Sequence, residues 1–260
     1  MINEKMFKFC FGCAPAEIAR QVILTPFFPL KAYMENCKAA REFRGRLYRG
    51  FTAPAGSSEI TVIQCGIGDR LLGDAVMFLS ITGAERIIFN GTCGGFKGCG
   101  ISDILVADNA FNGEGFSRYY GRNAPLENIF SSGELVSADK TLTLSLKKFL
   151  SGKKVYYNPG ENVNIFTIGS LAAEKNDILS RIEERGFKGL EMELSAVYKA
   201  SISTGIPAAG LLVVSDLPLA RPLWEELSPA EKKLFSEKMN EVMKLTVEFA
   251  VGPGGTEPAG

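Results

Sequence analysis

The feature that most constrains the fold of this chain is a set of short apolar runs without in–out alternation: ITVIQC (60–65), RIIFN (86–90), ILVA (104–107) and AAGLLVV (208–214). A strand with one face in water alternates apolar and polar side chains, whereas a strand covered on both faces does not. Between these runs lie stretches with helical spacing, including Leu72, Val76 and Leu79, then residues 139–150, 172–185 and 194–204. Phe235, Met239, Val242, Thr246 and Phe249 mark one face of a long helix near the carboxyl end. Covered strands alternating with helices predict an α/β fold, a three-layer αβα domain around a central, mostly parallel or mixed sheet. Phe7–Phe11 reads as a further strand ending at Gly12, and Val163–Ile168 as another. No repeat or linker divides the chain. Residues 1–251 are therefore expected to form a single domain, and the tail GPGGTEPAG (252–260) to be disordered.

Ligands of such sheets bind beyond the carboxyl ends of the strands, and composition limits the chemistry available there. The 260 residues include no histidine. This excludes Ser-His-Asp and Cys-His catalysis and removes the commonest zinc ligand. Acid–base work falls to Asp, Glu, Lys, Tyr or Cys. Cys10 and Cys13 form a CxxC, but no second CxxC and no helix start accompanies it, so it reads as buried thiols on a strand. No metal and no cofactor is expected. The 29 basic and 29 acidic residues cancel, which favours neither nucleic acid nor membrane as a partner. The start, MINEKMFKFCFG, lacks a basic region followed by a long apolar core, and no apolar stretch reaches membrane-spanning length, so the cytoplasm is the expected compartment.

Three segments place chemistry at strand ends. Asn90-Gly91-Thr92-Cys93-Gly94-Gly95 reads as a glycine-rich turn after RIIFN. Its backbone N–H groups and the Thr92 hydroxyl suit an anion or a sugar hydroxyl, but a tight turn without a ligand would look the same. The spacing fits neither GxGxxG nor a Walker loop. In Glu191-Met192-Glu193 a carboxylate can accept both hydrogen bonds of a vicinal diol, as on ribose, and Met192 can pack on the sugar. Glutamates at a helix start would serve equally. Ser215-Asp216 follows the strand 208–214. A protonated carboxyl there can stabilise a departing nucleobase, while an Asp before a proline loop is the plain alternative.

Together and in this order, GTCGG, LEMELSAVY and VVSD resemble the nucleoside phosphorylase superfamily, which comprises purine and uridine phosphorylases and methylthioadenosine-type nucleosidases. The resemblance spans roughly residues 7–249. It implies cleavage of the N-glycosidic bond of a nucleoside, with a purine favoured by the aspartate. Glu193, Met192 and Glu191 would bind ribose. Asp216 would be the acid at the base, with Ser215 beside it. Leu171 stands where the family has a phenylalanine stacked on the base, a role that Phe166 or Phe116 would take over. Gly12, Gly68, Thr92, Cys93 and Gly94 would meet the anion or nucleophile. In some members an arginine on the last helix assists the aspartate; its nearest match is Lys232, so that help is weakened or absent. Members are usually homo-oligomers, and the basic run 41–49 would supply such a contact.

The acceptor divides the family. Its phosphorylases carry an arginine shortly after the first-strand glycine, where Ala16 stands, and another before the turn, where Phe89 stands. A third comes from a neighbouring subunit, near the place of Arg41. The nucleosidases carry a water-activating glutamate five residues after that glycine, which is Glu17 when counted from Gly12. A carboxylate suits water and repels phosphate. Water is thus favoured, and inorganic phosphate enters only as a co-substrate. A nucleoside-binding protein without catalysis is the reading from a different class, and an unrelated α/β domain is a third. The last would not bring Glu193 and Asp216 to one cavity.

Overall fold

The computed structural model describes residues 2–38, 40–56, 58–120, 126–157 and 162–252. Its strands are β1 (Gln21–Thr25), β2 (Arg41–Arg44), β3 (Arg49–Ala55), β4 (Ser58–Gln64), β5 (Arg86–Gly95), β6 (Ile104–Ala107), β7 (Asn109–Gly113), β8 (Leu135–Ser137), β9 (Asn164–Ile168), β10 (Gly189–Glu191) and β11 (Ala208–Asp216). Its helices are α1 (Glu4–Phe11), α2 (Leu30–Met34), α3 (Asp69–Leu79), α4 (Leu126–Ser132), α5 (Lys140–Gly152), α6 (Asn176–Glu184), α7 (Leu194–Thr204) and α8 (Pro229–Val251). The strands join one sheet in the order β2-β3-β4-β1-β5-β10-β9-β7-β8, and β11 pairs with both β5 and β6. Pairings at the centre, β4-β1-β5-β11, are parallel. The outer β2-β3-β4 meander and the β7-β8 and β6-β11 pairs are antiparallel, so the sheet is mixed.

Both faces of the sheet are covered, which is why the central strands lack alternation. Val22, Leu24, Ile87, Phe89, Leu212 and Val214 point into one apolar core with residues of α1, α3 and α7. Their immediate neighbours Ile88, Leu211 and Val213 point the other way, against α5 and α8. Ile23 does the same with Phe28, Tyr33 and the last turns of α8. A third set of buried residues from β7, β9, α4 and α6 closes the far end of the sheet. No helix among the described residues is long and apolar enough to cross a membrane.

Two expectations are corrected. Residues 7–11 are not a strand but the last turns of α1. The Asn3 side chain caps its first turn by accepting from the Met6 amide at 3.0 Å, and Gly12 closes it with φ of 79°. Phe7 and Phe11, four residues apart, stack on one helical face with ring centroids 4.2 Å apart. Cys10 and Cys13 are buried, but at the end of this helix rather than on a strand. Burial pushes the Cys13 thiol up to about 12. The first strand is instead Gln21–Thr25, and it runs into Pro26-Phe27-Phe28-Pro29 rather than into a glycine. Residues 90–95 are likewise not a turn, because β5 continues through Gly95. Asn90 is a fully buried knot on that strand. Its Oδ1 accepts from Tyr33 Oη at 2.6 Å and its Nδ2 donates to Leu211 O at 3.0 Å. These bonds tie β5 to α2 and β11 beneath the strand ends. Of the tail expected to be disordered, residues 253–260 lie outside the described residues.

Candidate functional site

The carboxyl ends of β5 and β11 lie side by side, with Val213 beside Thr92, Val214 beside Cys93 and Asp216 beside Gly94. The register shifts between Val214 and Asp216. An extra residue at such a bulge bends the strand and re-aims the next side chain. The bulged Ser215 hydroxyl lies 2.6 Å from Asp216 Oδ1 and 3.2 Å from Cys93 O. Burial holds the Asp216 carboxyl above its ordinary value, opposed by the Ser215 hydroxyl and the Leu223 amide.

The Glu-Met-Glu segment ends β10 and starts α7. Glu191 is buried and wholly engaged. Its Oε2 accepts from the amides of Glu193 at 2.7 Å and Leu194 at 2.6 Å, and its Oε1 accepts from Thr167 Oγ1 at 2.5 Å. It thus satisfies the otherwise orphaned first amides of α7. These donors engage both oxygens of the carboxylate that was expected on ribose. Glu193 is also buried; the Gly68 amide at the start of α3 lies 2.7 Å from its Oε1, and the Met192 amide also acts on its carboxyl. Its side chain lines the cavity described below. Burial pushes both carboxyls up, and Glu193 adds to the effect on Glu191.

These groups line one cavity of about 560 Å³, within the ~300–1,000 Å³ usual for small-molecule sites. Of the residues singled out from sequence, it collects Thr92, Cys93, Gly94, Leu171, Glu191, Met192, Glu193, Ser215 and Asp216. Gly68 stands just outside, through its bond to Glu193. Cys93 lies between the two ends and feels both Glu191 and Asp216, although burial is what chiefly holds its thiol protonated.

Five expected residues lie elsewhere. Glu17 is exposed on the 3-10 turn Pro15–Glu17, where its Oε2 accepts from the Ala14 amide at 2.6 Å. Gly12 closes α1 against the backbone of Arg44 and Gly45. Arg41 is exposed on β2 and pairs with Glu59 at 3.2 Å. Phe166 is fully buried in a cluster with Phe111, Phe130 and Phe187, so it cannot stack on a ligand. Phe116 is exposed beside Tyr120 and does not line the cavity either. The placement of Ala16 and Glu17 depends on counting from Gly12, and that glycine ends a helix.

The cavity also has walls that the sequence reading missed: Phe27 after β1, Ile67 before α3, Pro218 and Leu223 after β11, and Phe235 on α8. A further carboxylate, Glu174, joins them. Burial, then the nearby Asp216, push its carboxyl up to about 7. Among the described residues no lysine or arginine lines the cavity. A second, cationic cavity shares Phe27 and Ile67 as a common wall and is lined by Arg44, Arg46 and Arg49. Among the described residues none of these three arginines is ion-paired, and no group of His, Cys, Asp or Glu is placed to hold a metal.

A profile of the family described as the phosphorylase superfamily matches residues 25–249, from the end of β1 into the last turn of α8. The chain is 24% identical over 245 residues to a purine nucleoside phosphorylase, DeoD-type 2, of Vibrio parahaemolyticus, covering 91% of this chain and 95% of that protein. Among solved structures, uridine phosphorylase of Vibrio fischeri superposes with a TM-score of 0.72 at 21% identity, over 89% of this chain and 91% of the other. The 5′-methylthioadenosine/S-adenosyl homocysteine nucleosidase of Campylobacter jejuni gives 0.71 at 14%, over 88% and 97%. Phosphate-using and water-using relatives therefore share this fold.

Proposed function

The chain belongs to the phosphorylase superfamily, and we propose that it cleaves the N-glycosidic bond of a purine nucleoside and releases the free base. The observation that carries this reading is the convergence of Glu193 and Asp216 on one cavity. Asp216, whose carboxyl burial holds above its ordinary value, donates to the ring nitrogen of the base as the C–N bond lengthens. Glu193 accepts from the ribose hydroxyls, and Met192 packs on the sugar face. The sugar gains positive charge as the base leaves, and a cavity whose described lining holds carboxylates and no cation favours that charge.

Water is the acceptor this environment favours. A phosphate dianion would enter among carboxylates with no lysine or arginine among the described lining residues. The support from Glu17 falls away, because that side chain is exposed on another part of the surface. One observation favours phosphorolysis instead: the Arg44, Arg46 and Arg49 cavity beyond Phe27 and Ile67. Incubation of a nucleoside panel with and without phosphate decides between them. Free ribose regardless of phosphate supports hydrolysis, whereas ribose 1-phosphate formed only with phosphate supports phosphorolysis. No base released under either condition would remove the enzymatic reading. As a member of this family the chain is further proposed to act as a homo-oligomer, with the exposed edge strand β2 as a contact surface.

Gly94 provides a check on the base end. A Cβ there would lie 2.4 Å from Pro218 Cγ and 3.5 Å from Asp216 Oδ2. Gly94→Ala is expected to displace the Pro218 loop and lower kcat/KM about tenfold or more, with the folded state retained by circular dichroism. Unchanged kinetics would detach that loop from the reaction.

A further inference from the structure

We propose that Glu174 reads the base: together with Asp216 it presents one donor and one acceptor to the edge of a 6-aminopurine, and so selects 6-amino over 6-oxo purines. This rests on the purine nucleoside reading given above and adds a determinant that none of the sequence motifs contains.

Glu174 ends the 3-10 turn Leu171–Ala173, and its amide is held by Leu171 O at 3.1 Å. The turn brings its side chain into the cavity that Asp216 enters from β11. The walls of that cavity include Leu171, Pro218, Leu223 and Phe235. Asp216 has the Ser215 hydroxyl as a partner. Among the described residues no amide or side chain donates to the Glu174 carboxyl, so its hydrogen-bonding capacity is directed at whatever fills the cavity.

Two carboxylates in a partly buried site without a cation do not both ionise easily, and one proton between them is the favoured state near neutrality. That state offers one O–H donor and one carboxylate acceptor. On a 6-aminopurine, N7 is an acceptor and the adjacent exocyclic amino group is a donor, so the two sets match. A 6-oxopurine presents N7 and O6, both acceptors. It would leave a charged oxygen of Glu174 facing a carbonyl oxygen, or require a second proton. An unpaired polar group of this kind is the strong form of discrimination available to a binding site.

The test compares wild type, Glu174→Gln and Glu174→Ala, with kcat/KM for adenosine and inosine and with calorimetric Kd values for free adenine and hypoxanthine. Wild type is expected to prefer the 6-amino member of each pair by about tenfold or more. Glutamine carries a donor that can face O6, so Glu174→Gln is expected to shift the preference toward the 6-oxo member by about tenfold. Glu174→Ala is expected to erase most of the preference. A wild-type preference below about threefold, or ratios that neither variant changes, would overturn the proposal. The base-binding arm decides even if no nucleoside is cleaved. Selective adenine binding without turnover would sink the enzymatic reading and leave the Glu174 assignment standing. Turnover with no 6-amino preference would do the reverse. A ratio is chosen as the readout because a merely structural loss would lower both members of a pair together.

Discussion

Asp216→Asn is expected to lower kcat on a natural purine nucleoside about 10²–10³-fold while leaving the fold intact. The amide keeps the shape of the carboxyl and can still meet the Ser215 hydroxyl and the Leu223 amide. It cannot deliver a proton to the leaving base. The sign of the pH dependence follows from the same group. Burial raises the Asp216 carboxyl above its ordinary value, so the active, protonated form persists to higher pH than for a free aspartate and is lost as pH rises through the raised value. Wild-type kcat should therefore fall on the alkaline side, and the Asn variant should lack that limb. A riboside with a nitrophenolate leaving group needs no proton to depart, so on it the deficit of the variant should shrink to a few-fold. An equal deficit on both substrates would assign Asp216 to positioning rather than to proton donation.

The second large effect separates the two glutamates of the LEMEL segment. Glu191→Ala removes the acceptor of three buried donors: the Glu193 and Leu194 amides and the Thr167 hydroxyl. The expected cost is about 3 kcal/mol, read as a melting temperature lower by about 10 °C. Glu193→Gln retains an acceptor for the Gly68 amide at the cavity wall. It is expected to melt within about 2 °C of wild type but to lose about 100-fold in kcat/KM, mainly through weaker ribose binding. The reverse pattern, a stable Glu191→Ala without activity, would move the ribose contact to Glu191.

The parts of this molecule legible in its sequence are those where local pattern and tertiary role agree. The buried strand 208–214, the helix 194–204 and the acids at their ends follow from periodicity and from residue type at strand ends. The amino-terminal region misleads because FKFCF is apolar and aromatic like a strand. Its helix punctuation, Asn3 before it and Gly12 after it, was outweighed by composition. Once that segment is taken for the first strand, every position counted from it is displaced, which is how Glu17 and Gly12 entered the candidate site. Phe27 and Glu174 were invisible for a different reason. Neither belongs to a motif, and each reaches the cavity only because a loop after β1 and a 3-10 turn before α6 fold over the same strand ends. Glu191 shows the limit of residue chemistry alone: a carboxylate that could hold a diol instead holds the start of a helix.

Helix α8 carries a consequence for how the cavity opens. Its last turns are embedded in the core through Val242, Met243, Leu245, Thr246, Val247 and Phe249. Its first turns are largely exposed apart from Phe235, which forms a wall of the cavity. Local stability follows the density of buried contacts, so one continuous helix joins an anchored half to a half that can fray at low cost. The Ser228–Glu231 capping box and the Arg221–Glu231 ion pair hold that looser end to the loop after β11, the loop that follows Asp216. Entry of a base would thus need only a local breathing of the first turns of α8, without loosening the sheet or the acid that waits at its edge.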